Sequence, residues 1–201
     1  MKFPSREQAN NWFEYAAAQN FGVWVAHSRG VAAAAETIAK ACGMDQEASY
    51  VMGLLHDVGR FEGKRMLHHI YAGYLFLTEK GFPDVARVCI THSFSNKKMT
   101  DYVGKNDCTE DETEFIMSFL DRTDFDDYDR LIQLADCLCS GEGVCLMERR
   151  LVDVCMRYGT DEWTIGRWKK NFELLDYFAQ KCGTSVYTLF KPEDLLKYTF
   201  G

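Results

Sequence analysis

The side chains best suited to chemistry in this 201-residue sequence are its histidines and two of its aspartates. The five histidines all lie in the first half of the chain: His27, His56, His68, His69 and His92. Asp57 follows His56 directly in GLLHDVGR, and Asp136 lies in the apolar segment LIQLADCL. Imidazole nitrogens and carboxylate oxygens are ligands for divalent transition metals. These residues therefore predict a metal site, provided that the fold brings them together.

Helical spacing directs most of these side chains toward apolar neighbours. His27 shares a helix face with Val31 and Ile38, and Asp136 follows Ile132 by one turn. The same spacing gives apolar neighbours to His56, His69 and His92. A single inward histidine is usually a hydrogen-bonded core residue, and an arginine or lysine could neutralise Asp136. A multi-metal centre would instead satisfy all of these groups together.

Long stretches of helical periodicity and only three prolines predict an all-α fold. Alternation with a period of two is scarce, so no strand is predicted, and we expect a single domain over residues 1–201. The predicted helices cover 5–20, 24–42, 46–58, 66–80, 84–93, 111–120, 126–140, 147–158, 162–181 and 192–198. The longest predicted loop is 94–110, and 141–146 is a weaker joint.

Composition disfavours several classes of function. The chain has 23 basic and 30 acidic residues, a formal charge of −7, which argues against non-specific binding of nucleic acids. No segment approaches the roughly 18 consecutive apolar residues of a membrane span. The start, MKFPSREQANNWFEY, has no apolar leader core, so we expect a cytoplasmic protein without membrane contact. The eight cysteines contain no C-x-x-C pair, and we expect reduced thiols in the core.

The order of these residues along the chain resembles one known family. His27 in WVAHSRGVAAAAETIAKA, the doublet in GLLHDVGR and Asp136 in LIQLADCL are similar to the HD superfamily of metal-dependent phosphohydrolases. The resemblance covers about residues 24–140 and implies an all-α, HD-domain helical bundle. The helices over 147–198 would form a C-terminal extension in the same domain.

Two further segments, HHIYAGYLFL and VARVCITHS, resemble the binuclear subgroup, and bacterial symmetrical diadenosine-tetraphosphate hydrolases are the nearer likeness. CLCSGEG, which begins directly after Asp136, departs from their pattern, so the substrate stays open. The resemblance implies two divalent transition-metal ions, with Fe or Mn favoured and Ni, Co or Zn as alternatives. It assigns one ion to His27, His56, Asp57 and Asp136, and the second to His69 and His92, with Asp57 bridging both. His68 lies about 100° around the helix from His69, and we expect it outside the ligand set.

The resemblance also implies a reaction. A hydroxide held between two ions would attack the phosphorus of a phosphate ester or anhydride, with Asp57 as the catalytic residue. Five cations flank the predicted ligands in this acidic chain, which suits a small anionic phosphorylated substrate such as a nucleotide, and four of them are predicted to bind it. These predicted substrate-binding residues are Arg60, Lys64, Arg65 and Lys97. Each of them could equally be a solvated surface cation.

Two other functions and one assembly stay open at this point. An HD fold could bind a nucleotide as a regulatory module without turnover, or it could act as an oxygenase with a di-iron site. Aromatic and aliphatic residues at helical spacing predict a buried face on the helix over 162–181, which a homodimer contact could cover instead. These residues are Trp163, Trp168, Phe172, Leu175 and Phe178.

Overall fold

The computed structural model describes residues 1–197, which form an α-helical bundle and confirm the predicted all-α fold. Its α-helices are α1 (Arg6–Gln19), α2 (Val23–Ala41), α3 (Gln46–Leu55), α4 (His68–Glu79), α5 (Pro83–Thr91), α6 (Glu110–Arg122), α7 (Asp127–Cys137), α8 (Met147–Tyr158), α9 (Thr164–Cys182) and α10 (Pro192–Leu196). Short 3-10 helices cover Val58–Glu62, Met99–Asp101 and Val186–Leu189. Residue 198, the last of the predicted C-terminal helix, lies outside the described residues. None of the helices in residues 1–197 is long and apolar enough to cross a bilayer.

Polar residues at the helix starts explain where several of these helices begin. The Ser5 hydroxyl accepts a hydrogen bond from the backbone N–H of Gln8 at 3.2 Å, and the Gln8 side chain accepts one from Ser5 N–H at 3.0 Å. Asp45 caps α3 in a similar way, and Thr109 and Asp126 form capping boxes at α6 and α7. Each cap satisfies backbone donors that the first turn of a helix leaves unpaired.

Helix α2 packs along α3 with little space between the two backbones. A Cβ atom added to Gly53 would lie 2.8 Å from Cα of Ala32, so only glycine fits at this point of α3. The carbonyl oxygen of Val31 would lie 3.0 Å from the same Cβ atom, and Val31 is fully buried in the core. The close packing places the start of α2 beside the end of α3, where two of the predicted ligands lie.

A second close contact lies directly after the His56-Asp57 doublet. A Cβ atom on Gly59 would lie 2.0 Å from the carbonyl oxygen of His69 and 2.3 Å from the backbone nitrogen of Gly73. The 3-10 helix Val58–Glu62 therefore packs backbone to backbone against α4. This contact fixes the distance between the doublet and His69.

The predicted helix over 46–58 is wrong at its C-terminal end. Helix α3 ends at Leu55, His56 caps it, and Asp57 has φ −105° and ψ 12°, outside α-helical geometry. The apolar stripe continues through Val58, which is fully buried. Periodicity therefore predicted a longer helix, although the chain changes direction at Asp57.

The predicted helix over 126–140 is also too long. Helix α7 ends at Cys137, and Cys139–Ser140 (β1) pairs antiparallel with Gly143–Val144 (β2), although the sequence predicted no strand. Strands of two residues are too short to show alternation. This hairpin occupies the segment that the sequence predicted as a weak joint.

Helices α8 and α9 pack on the same apolar core as the helices before them. This core includes Phe13 of α1, Ile38 of α2 and Phe178 of α9, all fully buried. That the chain forms a single domain stays a prediction, and so does the homodimer. Trp163, predicted to lie on a buried face, is 46% exposed.

One prediction about the cysteines is wrong. Cys42, at the end of α2, and Cys182, at the end of α9, form a disulfide across 140 residues of sequence, whereas all eight cysteines were expected to be reduced. The pair forms because α9 packs with its C-terminal end against that of α2, which no local spacing reveals. The other six cysteines are free thiols.

Candidate metal centre

Five helices or helix ends bring six of the predicted side chains to one place. His27 lies on α2, Asp136 on α7 and His69 on α4, while the His56-Asp57 doublet follows α3 and His92 follows α5. All of them are buried except Asp136, whose side chain is 25% exposed. We call this group the His/Asp cluster: His27, His56, Asp57, His69, His92 and Asp136.

Asp57 lies between three of the histidines. Its Oδ1 atom is 2.9 Å from Nε2 of His69 and 3.8 Å from Nε2 of His92. Its Oδ2 atom is 3.8 Å from Nε2 of His56 and accepts a hydrogen bond from Nε of Arg60 at 2.6 Å. The two oxygens of one carboxylate therefore face different histidines.

Asp136 joins the cluster from the side of His27. Its Oδ1 atom is 2.8 Å from Nε2 of His27 and 3.9 Å from Nε2 of His56. The rings of His27 and His56 are 5.4 Å apart, centre to centre. The potential ligand atoms thus form two triads that share Asp57, and within each triad they lie within 4.8 Å of one another. One triad is His27, His56 and Asp57, and the other is Asp57, His69 and His92.

Backbone carbonyls fix the tautomer of three of these histidines. Nδ1 of His56 donates to the carbonyl of Gly53 at 2.7 Å, and Nδ1 of His92 donates to that of Val88 at 3.0 Å. Nδ1 of His69 donates to the carbonyl of Met66. A carbonyl oxygen only accepts, so the proton of each neutral ring lies on Nδ1. Each Nε2 therefore directs a lone pair into the cluster, as in histidines that bind metals.

Three atoms in the cluster have no hydrogen-bond partner within residues 1–197, although all are buried: Nε2 of His56, Nε2 of His69 and Oδ1 of Asp57. Nε2 of His69 and Oδ1 of Asp57 lie 2.9 Å apart but do not form a hydrogen bond, because the His69 proton lies on Nδ1 and both atoms are acceptors. Buried acceptors without a donor are unfavourable. A cation would satisfy them, so the residues present fit a metal site.

The buried surroundings keep three of the imidazoles neutral. Burial lowers the pKa of His56 and of His69, and it lowers the pKa of His92 to about 4. Burial alone would raise the pKa of Asp57, but the Arg60 guanidinium holds it well below its ordinary value. The pKa of Asp136 is lowered against the effect of burial by its hydrogen bond with His27. At neutral pH His56, His69, His92 and the two aspartates thus have the protonation state that metal ligands need.

A cavity of about 570 Å³ opens onto the cluster, and every cluster residue except His56 lines it. Of the four predicted substrate-binding residues, Arg60 lines this cavity, and Lys64, Arg65 and Lys97 do not. Arg65 donates to Asp107 at 3.1 Å, and the ammonium of Lys97 lies 3.8 Å from Asp124. These three cations lie near the ligands in sequence but face other parts of the surface.

Sequence reasoning missed the other cations that line the cavity. Arg150 and Arg157 of α8 and Arg167 of α9 belong to its wall, together with the aromatic rings of Tyr102 and Trp168. Arg150 and Arg157 are seven residues apart, which places both on one helix face. This spacing could have indicated that the two arginines act together, but it lies in the part of the sequence that shows no resemblance to the family.

His68 lies beside the cluster but faces away from it. Its Nε2 atom is 2.8 Å from Glu62, and its Nδ1 atom is 3.1 Å from Glu112. The Cys108 thiol completes a partly exposed group with His68 and Glu112. Adjacent histidines thus have different surroundings, and only His69 reaches Asp57.

A family model for the HD domain matches residues 24–141, more than half of the chain. The chain belongs to the HD-domain family. The matched residues contain every member of the His/Asp cluster, from His27 to Asp136. Comparisons with curated proteins and with solved structures find no match.

Membership in the HD family confirms the resemblance to the HD superfamily, whereas the likeness to its binuclear subgroup and to diadenosine-tetraphosphate hydrolases stays a prediction. HD domains are commonly metal-dependent phosphohydrolases, and the family match together with the His/Asp cluster indicates divalent metal binding and hydrolase activity. Helices α8 and α9, which supply Arg150, Arg157 and Arg167 to the cavity, lie outside the matched residues.

Proposed function

We propose that this HD protein is a binuclear metal-dependent phosphohydrolase that cleaves a phosphate ester or anhydride of a small nucleotide-like substrate. The observation that carries the proposal is the set of buried acceptors in the cluster that lack hydrogen-bond partners: Nε2 of His56, Nε2 of His69 and Oδ1 of Asp57. They belong to two triads joined through Asp57, which supports two ions rather than one.

His27, His56, Asp57 and Asp136 would hold the first ion, and Asp57, His69 and His92 the second. Nitrogen ligands with two carboxylates and no thiolate favour Fe or Mn, with Ni, Co or Zn as alternatives. Such ions, when bound, acidify water toward neutral pH and neutralise charge on phosphoryl oxygens. The backbone carbonyls of Gly53, Met66 and Val88 hold the histidine rings in place for this role.

The other residues of the cavity support a nucleotide-like substrate. Arg60 neutralises Asp57 and presents a guanidinium group at the cavity wall, where it can contact a phosphoryl oxygen. Tyr102 and Trp168 offer aromatic faces against which a base can pack. The volume of about 570 Å³ lies within the usual range of small-molecule sites.

The test begins with elemental analysis of protein purified without oxygen, followed by hydrolysis assays with Mn, Fe, Co, Ni or Zn that follow both released phosphate and nucleotide products. The substrates are nucleotides, dinucleoside polyphosphates and p-nitrophenyl phosphate. We expect two ions per chain and turnover that is lost in Asp57→Asn and retained in the control His68→Gln.

Two results would replace this proposal with another. Nucleotide binding without turnover under any metal would indicate a regulatory module. Oxygen consumption by the iron-loaded protein, with no phosphate release, would indicate an oxygenase.

A further inference from the structure

The wall of the cavity formed by α8 carries a second group of charged side chains. Arg150, Asp153 and Arg157 follow one another at spacings of three and four residues, so they share one face of the helix. All three line the cavity that opens onto the His/Asp cluster. This helix lies outside the residues matched by the HD-domain model.

The two arginines of this group share one carboxylate oxygen. Nη1 of Arg150 lies 3.1 Å from Oδ2 of Asp153, and Nη2 of Arg157 lies 2.6 Å from the same atom. The other arginines of the cavity are paired differently. Arg60 has the Asp57 carboxylate at 2.6 Å, and Arg167 contacts both oxygens of Asp161 at 2.7 and 3.2 Å. Cations therefore outnumber acids within the α8 group.

Arg150 also carries a donor without an acceptor. Its Nε atom is buried and has no hydrogen-bond partner within residues 1–197. A buried donor in this state is unfavourable, and an acceptor supplied by a ligand would satisfy it. The cavity thus has buried acceptors without donors at the metal cluster and a buried donor without an acceptor at Arg150.

We propose that Arg150 and Arg157 bind a second phosphoryl group of the substrate, distinct from the group that is cleaved at the metal cluster. This inference rests on the proposed phosphohydrolase function. A guanidinium group pairs with phosphoryl oxygens through two parallel hydrogen bonds, and a phosphoryl group offers three such oxygens to two arginines. Asp153 holds the two guanidinium groups together and so prepares them for one shared anion.

The direct test measures binding without turnover. Calorimetric titration of chelator-treated protein compares ADP with adenosine for the wild type, Arg150→Gln and Arg157→Gln. The control is Arg149→Gln, on the same helix, because Arg149 donates to the carbonyl of Leu196 and does not line the cavity. We expect ADP to bind about 10-fold more weakly to each cavity variant, since loss of a charge-assisted hydrogen bond has roughly this effect. Adenosine binding should not change in any variant.

Arg157 is the safer site for this test, because its side chain is 47% exposed and its replacement removes little packing. Equal ADP affinity in the wild type and Arg157→Gln would overturn the proposal. It would also be overturned if the wild type bound ADP no better than adenosine.

A kinetic arm separates this proposal from the proposed function. With metal present, Arg157→Gln should raise KM for ADP about 10-fold and change kcat/KM for p-nitrophenyl phosphate far less, because that ester has no second phosphoryl group, whereas Arg149→Gln should change neither. Turnover with unchanged KM for ADP would refute the role of α8 alone. Weakened ADP binding in the variants, with no turnover of any substrate by the wild type, would refute the hydrolase and retain the anion site.

Discussion

Replacing His69 with glutamine should remove one of two metal ions, whereas the same replacement at His68 should remove neither. The two histidines are neighbours in sequence, but Nε2 of His69 lies 2.9 Å from the Asp57 carboxylate and is buried. His68 instead lies between Glu62 and Glu112, with its two nitrogens at 2.8 and 3.1 Å from their carboxylates. The two variants make the same change, histidine to glutamine, at neighbouring positions. Any difference in bound metal is therefore due to the position of the histidine.

The size of the effect follows from linkage between binding and folding. An ion present at 100 times its dissociation constant stabilises the folded state by about 2.7 kcal/mol. For a chain of this length, 1 kcal/mol corresponds to about 2–4 °C in Tm, so each ion should contribute roughly 5–11 °C. His69→Gln should lose this amount of the metal-induced rise in Tm and keep the part that is due to the first ion.

The assay compares the Tm of metal-loaded and chelator-treated protein for each variant, with elemental analysis of the loaded samples. Because the metal-loaded Tm of each variant is compared with its own metal-free Tm, any effect of the substitution on the metal-free fold cancels. We expect about two ions for the wild type and His68→Gln, and one for His69→Gln. Two ions and an undiminished rise in Tm for His69→Gln would show that the second triad is not a metal site.

Three further predictions concern Asp57, the close contact at Gly59 and the buried imidazole of His92. Asp57→Ala should lose both ions and all phosphohydrolase activity, because Asp57 belongs to both triads. Its helical circular-dichroism spectrum should be retained, and retention of either ion would contradict the prediction. Gly59→Ala should lower the free energy of unfolding in urea by about 1–3 kcal/mol, since its Cβ would lie 2.0 Å from the His69 carbonyl. Gly166→Ala, where a Cβ meets nothing within 4 Å, is its control and should lose far less. Burial lowers the pKa of His92 from 6.5 to about 4, so the unfolded state of the metal-free protein binds the extra proton first as pH falls. Its free energy of unfolding should decrease by about 2 kcal/mol from this group between pH 7 and pH 5, and urea denaturation of His92→Gln should show a correspondingly smaller decrease.

Most of the fold and the location of the cluster could be predicted because both depend on local patterns. An inward position on a helix is visible from spacing, and His27 and Asp136 each lie on an apolar stripe that the core covers. Five separate elements direct chemistry-bearing side chains inward, and a common centre is the simplest arrangement that satisfies them. The structure brings these side chains together at the predicted place. Their role as ligands remains our proposal.

The cations of the cavity could not be predicted in the same way, because closeness in sequence is a poor guide to closeness around a site. Arg65 and Lys97 flank the cluster along the chain, yet their partners are Asp107 and Asp124 outside the cavity. Arg150 and Arg157 come from a helix that joins the cavity only through tertiary packing. The Cys42–Cys182 disulfide was missed for the same reason, since only the docking of α9 on the core creates it.

The end of α3 shows why periodicity fails where the cluster forms. Consecutive residues in an α-helix point about 100° apart, so a His-Asp doublet inside a helix cannot direct both side chains to one point. Helix α3 ends at Leu55, and Asp57 takes up a bridge-region conformation in which its Oδ2 atom lies 3.8 Å from Nε2 of His56. Gly59 then permits the chain to pass directly over α4, so that the other oxygen of Asp57 reaches His69. A helix continued to residue 58, as the apolar pattern predicts, would turn Asp57 away from one of these histidines. Because the helix ends before Asp57, this carboxylate lies within reach of the histidines of both triads.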